Sequence, residues 1–246
     1  MVIAVWGRDG IGKSTLADTL GLMFSKYGVS VVIDTDLTQP TLPARLNGLQ
    51  FEPDTSLGRA ISGFRSGNAA PLLHQHPKYK GLFYAGLIDG DDYMSYETGL
   101  DDDDKAQDFV EQCKELADTI VLDLSGQRTD PFLPGALLHA DRVLVLFTPD
   151  VHGICWYQSV APLLHNRQAQ GHVLTVASMV EGHHDLSVVE KAIGVPFAAA
   201  LPFVKEIRQM RDTGVSPLEG VTPPAIRYQR HARQLFKRLN EEAEKS

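Results

Sequence analysis

Short β-branched apolar runs alternate along this chain with stretches in which apolar residues recur at helical spacing, and that alternation predicts an α/β fold. Val2 to Trp6 is the first run. Thr15 to Tyr27 follows as a helix carrying Leu16, Leu20, Met23 and Phe24 on one face, stopped by Gly28. Val29 to Ile33 is a second strand, ending in Asp34-Thr35-Asp36 and a turn through Pro40. Residues 46 to 104 are harder to read: Asp54 is placed to cap a short helix through Ile61 and Phe64, and Gly81 to Leu87 reads as a strand. The acidic run Asp101 to Asp104 reads as a loop capping a helix over Ala106–Leu116, with Phe109, Val110, Cys113 and Leu116 on one face. Thr119 to Leu124 and Arg142 to Phe147 are strands; a helix from Val151 to Asn166 carries Trp156, Val160 and Leu163. Val173 to Ser178 is a strand, Leu186 to Ile193 a helix, Phe197 to Leu201 a strand closed by Pro202, and Pro223 to Glu244 the last long helix. This rhythm implies a mostly parallel twisted sheet of about seven strands with helices on both faces, in a single domain spanning residues 1–246.

The first turn of that pattern carries chemistry. Gly7-Arg8-Asp9-Gly10-Ile11-Gly12-Lys13-Ser14 fits G-x-x-x-x-G-K-[ST], between a strand and a helix as a phosphate-binding loop requires. Glycines let several backbone N–H groups curl toward one anion, and the following helix, from Thr15, presents its N-terminal N–H groups and dipole to it. Lys13 is expected to reach the β and γ phosphates, and Ser14 to take a place on Mg²⁺. The run ending at Asp123 reads as the strand whose carboxylate holds that metal, and Asp123 with Gly126 forms a D-x-x-G turn whose backbone N–H can sense a γ-phosphate. Asp34 and Asp36 stand at a strand's carboxyl end, where open α/β sheets place their chemistry; Asp36 is the candidate site residue, and Asp34 either joins it or caps the next turn.

Composition narrows the partners. The chain has 246 residues and a net charge of −8, so its surface as a whole does not seek nucleic acid or anionic membrane. Cys113 and Cys155 form no C-x-x-C and read as two reduced thiols. With no signal peptide and no apolar run long enough to span a bilayer, a cytoplasmic location is expected. From Val204 to Arg238, however, eight basic residues (Lys205, Arg208, Arg211, Arg227, Arg230, Arg233, Lys237, Arg238) face three acids. This is either a docking face for phosphates of DNA or an anionic surface, or a solvated helix surface.

Five blocks in order, GRDGIGKST, VVIDTDLTQPTL, TIVLDLSG, residues 140 to 154 and residues 193 to 217, resemble the ParA/MinD group of P-loop ATPases with a deviant Walker A loop. The resemblance spans nearly the whole chain. It implies ATP and Mg²⁺ as cofactors and a nucleotide-dependent homodimer with ATP between the subunits. Gly7 through Thr15, Gly126, Ser178 and Pro202 would bind nucleotide; Ser14, Asp36 and Asp123 would serve the metal; Asp36 would position the attacking water. The group's signature lysine, which reaches the partner subunit's nucleotide, is replaced by Arg8, and the following glycine by Asp9. Either Arg8 keeps the catalytic role beside Lys13 and Asp36, or the chain binds ATP with weak hydrolysis. Asp9 beside a triphosphate is awkward unless it faces away, for instance toward Arg8. Ser178 stands near where the group has a base-reading Asn. The cysteines do not fit the iron-protein or metal-insertion branches.

Three functions remain open on sequence alone. One is an ATP-hydrolysing dimerisation switch that positions a cargo: DNA, through the basic C-terminal region, or a polar or pilus-type protein assembly. A second is a nucleotide-binding scaffold with little turnover, as in TadZ/CpaE-like pilus-assembly relatives. A third, against which the later blocks argue, is an ATP-dependent small-molecule enzyme.

Overall fold

A computed structural model describes residues 1–46, 49–62, 68–91, 96 and 99–243, with side chains of the last helix described to residue 241. Its centre is β1 (Val2–Gly7), every residue of which is buried. β1 lies between β5 (Thr119–Asp123) and β6 (Arg142–Phe147), parallel to both. β2 (Ser30–Asp34) pairs with β5 and with β4 (Leu82–Ala85), and β7 (Val173–Val180) and β8 (Ala199–Pro202) extend the other side. The short β3 (His74–Gln75) adds an antiparallel edge, giving eight strands in the order β3-β4-β2-β5-β1-β6-β7-β8. The expected count of about seven omitted β3, which is too short to carry an alternation of its own.

Each central strand feeds two cores because successive side chains point to opposite faces. Ala4, Trp6, Ile33 and Leu122 pack with Phe109, Phe132 and Tyr157 on one face; Ile3, Val5, Val32 and Val121 pack with Leu16, Leu20, Tyr228 and Leu235 on the other. The first face is covered by α3 (Gly58–Ser62), α4 (Asp102–Leu116), α5 (Phe132–His139), α6 (Val151–Ala169) and α7 (Leu186–Ile193), and the second by α1 (Lys13–Phe24), α2 (Leu42–Arg45), α8 (Lys205–Asp212) and α9 (Pro223–Ala243). Phe236 of α9 seats against Phe24 at the end of α1, ring centroids 4.7 Å apart.

Several boundaries differ from the sequence expectation. α4 begins at Asp102, so the acidic run forms its first turn, and Asp101 makes no side-chain cap bond. Leu116 and Leu163 lie outward, while α6 buries Gly153, Tyr157, Val160 and Leu164. α5 was not anticipated, since Pro134 and Gly135 interrupt its pattern, and α8 was read only as a basic stretch. Phe64 and Glu244 lie outside the described residues.

Candidate nucleotide site

Because β1 pairs with β5 and β5 with β2, three carboxyl ends converge. The register sets Val5 beside Asp123 and Asp34 beside Asp123, and Leu124 N donates to the Val5 carbonyl at 3.1 Å. The phosphate loop, the Asp34-Thr35-Asp36 segment and the Asp123-to-Gly126 turn are therefore neighbours although 117 residues separate Asp9 from Gly126.

Gly10 and Gly12 take φ of +76° and +90°, which side-chain-bearing residues rarely adopt, and this curls the loop into the start of α1. No side chain caps α1 at Gly12, which leaves its first-turn N–H groups available to an anion. Lys13 is only 7% exposed and its ammonium donates to the Arg8 carbonyl and to Asp9 Oδ1, each at 2.9 Å. Ser178 is buried beneath the loop and donates to the Ile11 carbonyl at 2.6 Å; a bulge in β7, with Met179 at φ 56°, places it there.

A cavity of about 630 Å³ opens beside the loop, within the size range of small-molecule sites. Asp9, Gly10, Gly12, Lys13, Ser14, Thr15, Asp36, Asp123, Ser178 and Pro202 line it. Of the expected site residues, Gly7, Arg8, Ile11 and Gly126 do not. Arg8 is exposed and its charge acts on Asp150, which caps α6 through Gly153 N at 2.7 Å. Burial acts to raise Asp150, but the Gly153 N–H, the Thr148 hydroxyl and the charges of His152 and Arg8 outweigh it and hold the carboxyl below its usual value.

Asp9 does not turn away from the site toward Arg8. It bonds inward to Lys13, and the same Oδ1 accepts from Gly126 N at 3.0 Å.

The largest surprise is Arg45, 8% exposed at the end of α2. Its Nη1 lies 2.9 Å from Asp18, and its Nη2 lies 3.1 Å from Asp34 and also bonds Asp123. Burial pushes Asp34 up to about 6, opposed by the Arg45 charge and reinforced by Asp123. Burial also raises Asp18. Asp34 further accepts from the Thr41 hydroxyl, so it is held by structural partners, whereas Asp36 is half-buried and accepts from Thr38 N at 2.9 Å.

Asp130 belongs to the same end of the sheet, at an Asp-Pro ahead of an apolar run that is a readable helix start. Its carboxylate accepts from Ser125 N and Phe132 N, each at 2.9 Å, and from the Thr35 hydroxyl, joining the turn after β5 to the end of β2. Burial raises it to about 6 against these hydrogen bonds. A carboxyl raised above its unfolded value contributes stability that is present at low pH and lost as pH rises through about 6. From pH 5 to 7.5 this group is expected to cost about 1–2 kcal/mol, and Asp130→Asn to remove that part of the slope. Urea denaturation of both proteins at the two pH values measures it; equal slopes would show that Asp130 does not titrate there.

The donors around Ser14 (its hydroxyl, Asp36 and Asp123) are hard oxygens, which suit Mg²⁺. Among the described residues no three His, Cys, Asp or Glu side chains form a cation cage by themselves. Mg²⁺ commonly binds one or two carboxylates together with phosphate oxygens and water, so this donor set fits it.

No protein-family model matches the chain. The septum site-determining protein MinD of Thermotoga maritima is 28% identical over 167 residues, covering 68% of this chain and 58% of that protein. A putative plasmid partition protein of Borrelia burgdorferi bound to AMPPNP superposes with a TM-score of 0.77 at 13% identity over 98% of both chains. MinD of Pyrococcus horikoshii complexed with Mg-ADP superposes with a TM-score of 0.74 at 17% identity, over 98% of this chain and 96% of that one. The fold is that of the MinD and ParA ATPases. Among the described residues no helix is long and apolar enough to cross a membrane.

Proposed function

We propose that this chain, a P-loop protein of the MinD/ParA type, is a Mg²⁺- and ATP-binding switch that hydrolyses ATP to position a cellular cargo. The observation that carries this reading is the convergence of Lys13, Ser14, Asp36 and Asp123 on one cavity at the carboxyl ends of β1, β2 and β5. The N–H groups opening α1 and the Lys13 ammonium are the groups to bind phosphate oxygens. Ser14, Asp36 and Asp123 would hold Mg²⁺, which when bound offsets the negative charge of the phosphates. Asp36, half-buried, with a carboxylate that accepts from Thr38 rather than pairing with Arg45, is the residue to orient an attacking water. Met179, whose side chain lies against Gly12, and Pro202 and Phe203 line the cavity and give it apolar surface for a base.

Arg8 lies outside the cavity and exposed, the position of a residue that acts on another subunit's nucleotide rather than its own. A homodimer enclosing two nucleotides follows from that reading. Arg227, Arg230, Arg233 and Lys237 lie exposed on α9, opposite its buried Tyr228, Ala232 and Leu235, and form the surface for an acidic cargo, DNA or protein.

Light scattering on a sizing column with Mg²⁺ and either ADP or ATP, run alongside phosphate release, tests the switch. Wild type is expected to dimerise with ATP alone. Arg8→Ala is expected to remain monomeric and to release phosphate at least about tenfold more slowly. A dimer indifferent to nucleotide, with no phosphate released, would support the scaffold reading instead. That second reading draws on Asp9 and Arg45, which engage Lys13 and Asp123 internally.

A further inference from the structure

One oxygen of Asp9 takes hydrogen bonds from two groups on opposite sides of the phosphate loop. The donors are the buried Lys13 ammonium at 2.9 Å and the Gly126 backbone N–H at 3.0 Å. In phosphate-loop chemistry these are the donors suited to a terminal phosphate: the lysine neutralises it, and the turn after the metal-binding carboxylate senses it through an amide. The fit is close, since a Cβ placed on Gly126 would stand 2.5 Å from that Asp9 oxygen. We propose that Asp9 is an internal surrogate for the γ-phosphate, which closes the Gly126 turn onto the loop without nucleotide and which a triphosphate must displace from both donors, a diphosphate from Lys13 alone. This rests on the reading of the loop as a nucleotide site and adds a residue that sets its selectivity.

The two partners differ in freedom. Lys13 is 7% exposed, whereas the Asp9 side chain is 75% exposed. Rotation of Asp9 about its own χ1 therefore releases Lys13 and Gly126 without repacking any core residue. An exposed pair of this kind is weak and screened, so Asp9 acts as a competitor that a γ-phosphate displaces. A β-phosphate bound in the loop leaves the Gly126 amide to Asp9; a γ-phosphate meets Asp9 as a like charge over the same two donors. Asp9 thus lowers affinity for ATP more than for ADP.

Two measurements on the full chain test this. Without nucleotide, amide hydrogen exchange resolved at Gly126 should be about fivefold or more faster in Asp9→Gly than in wild type. In calorimetric titrations with Mg²⁺, Asp9→Gly and Asp9→Asn should each bind AMPPNP about tenfold more tightly than wild type, with a smaller gain for ADP, of about threefold or less. Unchanged exchange at Gly126, or equal gains for both nucleotides, would overturn the proposal, the second because it marks a general charge effect. If wild type and both variants bind neither nucleotide, the nucleotide site itself fails, whatever the exchange data show, and this inference falls with it. Asn keeps the acceptor oxygen and loses the charge, so a gain in Asp9→Gly alone, without one in Asp9→Asn, would also overturn the charge competition proposed here.

Discussion

Lys13→Ala is expected to lose nucleotide binding, raising the dissociation constant for ADP and ATP with Mg²⁺ by about 100-fold or more. Each charge-assisted hydrogen bond to a phosphate is worth about 1.5–3 kcal/mol, and Lys13 is placed to make two, which converts to about two to four decades of affinity. The residue suits the task because α1 carries it from the loop's own end and the surrounding loop desolvates it to 7% exposure. Its present partners are the Arg8 carbonyl and an exposed carboxylate, both of which it can relinquish. The fold should survive, since none of the core is built on the Lys13 side chain. Calorimetry decides the matter, with a melting curve as control; an affinity within about threefold of wild type would remove the loop from the binding site.

Arg45→Met is expected to destabilise the chain by about 3–5 kcal/mol at neutral pH. Arg45 stands among Asp18, Asp34 and Asp123, and its removal leaves the buried Asp34 and Asp123 and the partly buried Asp18 without the guanidinium they share. Three acids and one guanidinium already carry an excess of negative charge, and burial raises Asp34 to about 6 in spite of Arg45. Methionine has similar bulk, so the loss is electrostatic rather than a cavity. Urea denaturation gives the size of the effect. Adding Asp18→Asn to Arg45→Met should recover about 1–3 kcal/mol, as expected of partners in one network. An unchanged denaturation midpoint in Arg45→Met would mean that the guanidinium does not hold these acids.

What the chain order reveals and what it hides divide along one line. The phosphate loop, β1 and the Asp123 strand are local patterns: each needs only neighbouring residues in the right sequence, and each stands where the pattern put it. Arg45 is the opposite case. It follows Pro43 in a short helix and looks like any surface arginine, yet it bonds Asp18, 27 residues earlier, and Asp123, 78 residues later. No periodicity carries that information, because only the pairing of β2 with β5 creates the pocket. Asp9 has a nearer cation in sequence, its neighbour Arg8, but the curl at Gly10 and Gly12 brings Lys13, four residues on, to the carboxylate instead. On α6 Trp156 and Val160 face the core as the spacing implies, but Leu163 is exposed and Leu164 is buried in its place. A helix that is apolar on more than one side leaves its buried face undetermined by sequence.

The position of β1 in the middle of the sheet also sets a timetable. β1 is made well before its partners, which begin at Thr119 and Arg142. At about 5–20 residues per second on a ribosome, roughly 6–24 s pass before the first residue of β5 is even synthesised. During that interval Val2 to Trp6 is an apolar strand with no sheet to join, and the loop behind it has neither Asp123 nor Gly126 opposite. The candidate-site residues translated earliest therefore wait for β5 before Asp123 and Gly126 can face them.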